Sequence, residues 1–385
     1  MTWNWQKPDW PKFTWNQRRL DLAEQEFLRG GGIFVGAVRH LGDEERNRLT
    51  VVAMSSEAVT TSEIEGEILD RASVQSSIQR QLGLTADDRK VGLAERGVSE
   101  MMVGLYKTYS EPLSHEMLFV WHKMLMSGRK DLKDLGRYRT GTEPMQVVSG
   151  RTGSPKIHFE APPSKKVPSE MAQFVAWFNR SAPNGAEPLP ALTRAGVAHL
   201  YFESIHPFED GNGRIGRALA EKSLAQSLSQ PSLIALAATI MARRSRYYAA
   251  LEAANKANEI TEWLAWFAGT TIEAQRRTIA LIEFLIDKTK LLDRLGGELN
   301  DRQRKALMRM FKEGPDGFKG GLSAGKYASI TGASPATTTR DLVDLTEKGA
   351  LIREGERRHA RYRLSVPLWP VPRISLNEHG ELVEE

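Results

Sequence analysis

The stretch HPFEDGNGRIGR, residues 206–217, constrains this chain more than any other twelve residues. A proline and a glycine-flanked asparagine are wedged between two segments of helical period, so the backbone must leave one helix, turn sharply and enter another. The segment before it, AGVAHLYFESI, places Val197, Leu200, Tyr201, Ser204 and Ile205 at helical spacing. Gly211-x-Gly213-x-x-Gly216 matches the dinucleotide-binding fingerprint only as letters, because that fingerprint follows a strand. A glycine-flanked Asn212 instead lets successive backbone N–H groups converge at a helix start, which is an anion site.

The side chains around that turn agree. Arg214 and Arg217 lie three apart on one helix face, and two cations in a first turn oppose the helix dipole unless an anion joins them. Arginine grips phosphate in bidentate fashion, and Asp210 is a hard oxygen ligand suited to Mg²⁺. His206 is the group whose ordinary pKa suits a general base near neutrality. Histidine, acid and anion cradle together describe phosphoryl or nucleotidyl transfer to a hydroxyl.

With 385 residues the chain is expected to form more than one domain. An N-terminal helical region over 1–90, a catalytic core over 91–292, a further domain over 296–370 and a tail over 371–385 are expected. Within the first region a helical pattern from Leu20 to Leu84 is expected to break at Gly30-Gly31-Gly32 and near Gly42. Residues 137–167 read as an extended hairpin between helices. Four tryptophans in MTWNWQKPDWPKFTW are expected to pin an irregular arm onto the body. That start has no apolar run, so no signal peptide is expected, and no stretch reaches membrane-spanning length. The chain has no cysteine, which excludes thiol chemistry and fits a reducing cytoplasm. A net charge of +5 is too mild to argue for nucleic acid by itself.

After Gly296 the punctuation changes. A helix over 301–312, a short helix and turn ending at Gly332, and a helix capped by Ser334, opened by Pro335 and stopped by Gly349 are followed by the alternating LIREGERRHARYRL. That order is the winged-helix, or helix-turn-helix, pattern. Its hairpin carries Arg353, Arg357, Arg358, Arg361 and Arg363, while the helix before it carries Asp341, Asp344 and Glu347. DNA and protein are both open as its partner. Gly320-x-x-x-x-Gly325-Lys326 begins like a P-loop, but Tyr327 stands where Ser or Thr is required.

The twelve-residue motif resembles that of the Fic family, H-P-F-x-D/E-G-N-G-R-x-x-R, at every fixed position. The resemblance implies a mainly α fold: a Fic-type helical core with a β-hairpin flap. It implies transfer of AMP from ATP to a Ser, Thr or Tyr hydroxyl of a target protein, with release of pyrophosphate. His206 would take the hydroxyl proton and Asp210 would hold Mg²⁺. Gly211, Asn212 and Gly213 would hold the α- and β-phosphates and Arg217 the γ-phosphate, with Arg214 and Gly216 completing the cradle. TSEIEG, Thr61 to Gly66, resembles the family's inhibitory motif, S/T-x-x-x-E-G/N, and implies that Glu65 blocks Arg217. In some relatives the same glutamate assists de-adenylylation. Met145–Gly150 corresponds to the flap that docks the target, and Tyr247 and Asn255 match positions that touch the nucleoside. Relatives often pair, so a homodimer is compatible with the family. From the other class stands a nucleotide-sensing, winged-helix DNA-binding regulator with little transferase activity.

Overall fold

The computed structural model describes residues 2–39, 41–149, 156–315 and 317–385, leaving aside the side chain of Arg358. The chain divides into two compact units. The first comprises Met1–Gly32, Asp43–Gln275 and Pro372–Glu385; the second comprises Ile33–Gly42 and Arg276–Val371. In chain order the elements are α1 (Asp21–Arg39), α2 (Asp43–Ile64), α3 (Arg71–Gln81), α4 (Leu93–Thr108), α5 (His115–Leu125), β1 (Gln146–Ser149), β2 (Lys156–Glu160), α6 (Val167–Arg180), α7 (Ala191–Ile205), α8 (Asn212–Leu228), α9 (Leu236–Met241), α10 (Arg244–Ala254) and α11 (Thr261–Leu295). There follow α12 (Asp301–Phe311), α13 (Ala324–Thr331), α14 (Pro335–Glu347), β3 (Leu351–Glu354), β4 (Arg361–Leu364), β5 (Ile374–Leu376) and β6 (Leu382–Glu384). The fold is mostly helical, and each strand pair is an antiparallel hairpin. Among the described residues no helix is long and apolar enough to cross a membrane.

Helix α7 organises the first unit. Every one of its residues is buried, the polar Thr193, Arg194, His199 and Glu203 included. Ala198, Tyr201, Phe202 and Ile205 pack into one core with Met101, Trp121, Phe174 and Phe208. Ala195, Val197 and Leu200 pack into another with Phe27, Trp263 and Phe267. Pro190 precedes the helix and offers no capping oxygen. Glu24 of α1 supplies the cap instead, accepting from the Leu192 and Thr193 backbone N–H groups at 2.9 and 2.8 Å. Burial pushes the Glu24 carboxyl above its ordinary range, and those two N–H groups oppose the shift.

The expected break at Gly30–Gly32 does not occur, because α1 runs through all three glycines. A Cβ at Gly30 would lie 2.1 Å from Gln275 Oε1, and one at Gly31 would lie 2.5 Å from Leu228 Cδ2. These glycines serve close packing within the first unit; the helix tolerates their intrinsic cost of about 1 kcal/mol each. The tryptophan arm is pinned as its composition suggests. Trp3 meets Phe159 edge-on at 5.4 Å, Trp10 meets Tyr201 at 5.2 Å, and Trp5 Nε1 donates to Glu160 O at 2.6 Å.

The second unit has its own core, built from Phe284, Leu307, Met310, Tyr327, Leu342, Leu345 and Leu351. Its helix signals act where they stand. Ser334 accepts from Thr337 N, Pro335 opens α14, and Gly332 and Gly349 take φ of +73° and +63°. The P-loop-like string is a helix start, with Ser323 capping α13 and Tyr327 buried against Asp341 at 2.9 Å. Residues 372–385, read as a tail, form the β5–β6 hairpin and belong to the first unit. The buried pair Arg243–Glu273 grips Ile374: Glu273 Oε2 accepts from its N–H at 3.0 Å, and Arg243 donates to its carbonyl at 3.1 Å.

Two glycines of α4 separate packing from propensity. A Cβ at Gly97 would lie 1.8 Å from the Met124 carbonyl oxygen, whereas one at Gly104 would meet nothing within 4 Å. Gly97→Ala should destabilise by about 2 kcal/mol through overpacking, and Gly104→Ala should stabilise by about 0.5–1 kcal/mol. The midpoints of urea unfolding, at unchanged slope, provide the measurement.

Candidate active site

The site is built at the junction of α7 and α8. His206 ends α7 in the left-handed region, with φ 50° and ψ 59°. A non-glycine residue holds that conformation at a cost of about 1–3 kcal/mol, so its surroundings must fix it. Its N–H donates to Phe202 O at 2.9 Å. Its carbonyl accepts from Arg139 Nε at 2.8 Å, and the Arg139 N–H donates to Pro207 O at 2.9 Å. Phe208 is fully buried and stacks on His122 at 4.3 Å. Asn212 closes the turn through its amide, accepting from Phe208 N and donating to Phe208 O, both at 2.9 Å. Its side chain is therefore spent on the turn. Gly211, with φ 81°, is the residue whose conformation demands glycine. Glu209 accepts from the Lys133 and Asp134 N–H groups and ties the turn to the segment after α5.

The two arginines of α8 already have acids. Arg217 is buried, and its NH2 pairs with Glu65 Oε1 at 2.8 Å. Its Nε and NH2 also donate to Thr61 Oγ1 and Thr61 O at 2.7 and 2.8 Å, fastening it to the end of α2. A Cβ on Gly213 would lie 2.2 Å from Glu65 Oε1, so that carboxylate sits on the backbone of the first turn of α8. Arg214 pairs with Glu67 and lies 3.7 Å from Asp210. Asp210 in turn pairs with Arg129 at 2.6 Å. The opposition between two arginines and the helix dipole is thus resolved by carboxylates from the chain itself.

Beside this anion position lies a cleft of about 560 Å³ lined by Glu65, Glu203, His206 and Gly213, by residues of α10, and by the β1–β2 hairpin. His206 is mostly buried, and burial followed by the charge of Arg139 lowers its pKa to about 4. Its imidazole is therefore neutral at physiological pH, with Nδ1 3.7 Å from Glu203 Oε2. Burial, and then the Glu65 charge, raise Glu203 to about 8. Tyr247 and Asn255 both line the cleft. Tyr247 is almost wholly buried, and its hydroxyl is held by His199 Nε2 at 2.9 Å. The Asn255 amide accepts from Ser204 Oγ at 3.0 Å, and its carbonyl accepts from Asn4 N at 2.7 Å. In the hairpin Val147 pairs with Phe159 and Val148 with Ile157 across a bulge; Gly150 lies outside the described residues.

Sequence reasoning missed Arg129, Arg139, Glu203 and Tyr248. Tyr248 adjoins Tyr247, lines the cleft and reaches Ile64 O at 3.3 Å, so the YY pair was the available signal. The other three act through tertiary contacts and leave no local pattern. Among the described residues no group of three or more His, Cys, Asp or Glu side chains is arranged to hold a metal ion.

Comparison with known proteins places these features. The Fic/DOC family model matches residues 112–224, and a domain of unknown function, DUF4172, matches residues 3–84. Protein adenylyltransferase fic-1 of Caenorhabditis elegans is 29% identical over 151 residues, covering 39% of this chain and 26% of its own length. The protein of the same name from Caenorhabditis briggsae is 28% identical over 143 residues, 37% of this chain and 24% of its own. A probable protein adenylyltransferase of Aquifex aeolicus is 33% identical over 69 residues, 18% of this chain and 20% of its own. The chain thus spans about a quarter of the length of the curated relatives it matches. In fold, it is similar to a Fic family protein from Desulfovibrio desulfuricans, with a TM-score of 0.50, 22% identity and coverage of 89% of this chain and 95% of that one. A Fic domain containing signaling protein from Bacteroides thetaiotaomicron aligns with a TM-score of 0.51 at 18% identity, covering 68% of this chain and 97% of that one. Residues 112–224, which carry the His206 turn and most of α8, match the Fic/DOC family.

Proposed function

We propose that this chain is an autoinhibited protein adenylyltransferase, moving AMP from ATP to a Ser, Thr or Tyr hydroxyl of a target protein. The observation that carries this reading is the Glu65 carboxylate lying on Arg217 and over Gly213, beside a neutral His206. A carboxylate placed where a phosphate would bind marks both the anion site and its inhibitor. The relatives named protein adenylyltransferase support the chemistry.

In the active state the triphosphate displaces Glu65. Arg217 takes the γ-phosphate, and Arg214 with the Gly211, Asn212 and Gly213 N–H groups takes the α- and β-phosphates. The nucleoside lies over Tyr247 and against Asn255. The target hydroxyl oxygen bonds to the α-phosphorus as the bond to the β-phosphate oxygen breaks; pyrophosphate leaves and the hydroxyl proton passes to His206. Asp210 offers one half-exposed carboxylate beside the start of α8. That fits Mg²⁺ held mainly by phosphate oxygens and water. Bound there, the ion would neutralise phosphate charge. The β1 edge suits a target segment added as a further strand.

We read α12 to β4 as a winged-helix module. Its charges favour a protein partner over duplex DNA. Arg363 pairs with Glu354 and Arg302 with Asp341, and the exposed face of α14 offers Ala336, Thr339, Arg340, Val343 and Glu347.

Removing the carboxylate should release the site. A charge-assisted contact of about 1.5–3 kcal/mol corresponds to about 10- to 100-fold. Glu65→Gly should therefore raise transfer of α-phosphate label from ATP to protein acceptors by that factor. Unchanged transfer would refute the autoinhibition. His206→Ala in the Glu65→Gly background should lower it by about 100-fold or more. The pH profile of the Glu65→Gly protein carries a second expectation. His206 is depressed to about 4, so the neutral base is present above that value and lost only as pH falls through it. The rate should stay flat from about pH 8 down to about pH 5; an acid limb near the ordinary histidine value of about 6.5 would contradict this reading.

A further inference from the structure

The cleft holds a second histidine with partners of its own. On β2, His158 Nε2 lies 2.6 Å from Ser149 Oγ at the end of β1, and His158 Nδ1 lies 2.7 Å from Glu252 Oε2 on α10. Glu252 is steadied by Lys256 Nζ at 3.0 Å. All three residues line the same cleft as His206 and Gly213. With Nδ1–H donated to the carboxylate, Nε2 must accept the Ser149 hydroxyl proton. That is the hydroxyl, base and orienting acid of an activated nucleophile, recognised by geometry rather than by position in the chain. The hydrogen bond to His158, with that to Lys256 next, holds the Glu252 carboxyl down at about 2, so it remains an anion able to stabilise an imidazolium.

A clamp fastening the hairpin to α10 would need only His158 and Glu252. Ser149 adds nothing to that clamp, because it shares the hairpin with His158 and sits close to its pairing partner Lys156. A residue so placed, with its hydroxyl on a base and itself lining the cleft, suits reaction better than fastening.

We propose that Ser149 is an internal acceptor, nucleotidylated by the chain's own site with His158 as its base and Glu252 as the positioning residue. The proposal rests on the adenylyl-transfer reading above. Ser149 Oγ bonds to the α-phosphorus of the nucleoside triphosphate while the bond to the β-phosphate oxygen breaks. Pyrophosphate departs, and the serine proton passes to His158 Nε2. The product places an AMP group on the hairpin edge, where an incoming target strand would otherwise pair.

The test uses the full chain carrying Glu65→Gly, with and without Ser149→Ala, His158→Gln or Glu252→Gln. Each is incubated with ATP and Mg²⁺, and separately with a fluorophosphonate probe without nucleotide. Peptide mass mapping locates any adduct, and pyrophosphate release is followed in parallel. An AMP-sized adduct on Ser149, absent from Ser149→Ala and slowed about 100-fold by His158→Gln, is the expected result. Glu252→Gln should slow it as well, while circular dichroism of all variants stays that of the parent. Pyrophosphate release with no adduct on Ser149 would overturn the proposal and leave the proposed function standing. Probe labelling of Ser149 that depends on His158, with no pyrophosphate from any variant, would support the activated serine and sink the nucleotidyl reading. Neither probe nor nucleotide on Ser149 would overturn the activated serine, and a labelling rate indifferent to His158→Gln would do the same.

Discussion

The Arg217–Glu65 pair is the interaction on which the site depends. A guanidinium buried at the start of a helix faces both the desolvation cost of a charge and the positive end of the helix dipole. It can stay there only if an anion stays with it. Glu65 meets that need from the end of α2, and Thr61 adds two further bonds from the same turn. The same demand makes the position selective. Whatever displaces Glu65 must bring negative charge and several acceptor oxygens, and must do so within reach of Gly213. A triphosphate meets those conditions better than a neutral ligand of equal size. In the proposed function, inhibition and substrate recognition are one electrostatic requirement satisfied by alternative partners.

The turn that presents His206 is held by its neighbours rather than by its own preferences. Left-handed backbone at a histidine is costly, and three kinds of contact offset it: the Arg139 bonds to the His206 and Pro207 carbonyls through side chain and backbone, the Phe208 ring against His122, and the Asn212 amide across the turn. None of these groups takes part in the proton transfer proposed for His206. They fix where the imidazole stands, and burial then keeps it neutral. Rigidity beneath a reactive group is what allows a base to work without searching for its geometry.

What the sequence displayed was whatever lies close along the chain. His206, Asp210, the glycines and the two arginines share one turn, so their joint chemistry is legible in twelve residues. Ser334, Pro335 and Gly349 are local signals and act locally. Glu65 could be linked to Arg217 only through a resemblance, since 151 intervening residues hide the contact. Arg139, Arg129 and Glu203 were illegible because burial and partner choice come from packing, and an arginine in an extended stretch looks like surface. Gly30–Gly32 misled for the same reason: a helix penalty is local, whereas the need for a missing side chain is set by Gln275 and Leu228 far along the chain. The amide of Asn212, expected at the phosphates, is instead committed to Phe208. A short polar side chain beside a bend bonds its own backbone first.

The β5–β6 hairpin changes what it means to shorten this chain. Because residues 372–385 return to the first unit, residues 276–371, which form the second unit together with Ile33–Gly42, are followed as well as preceded by chain of the first. Ending the chain anywhere between α11 and Ile374 would remove the Ile374 backbone from Arg243 and Glu273, leaving a buried guanidinium and carboxylate without the N–H and carbonyl they share. The first unit is therefore bounded in space but not in sequence, and its last fourteen residues are as much a part of it as its first.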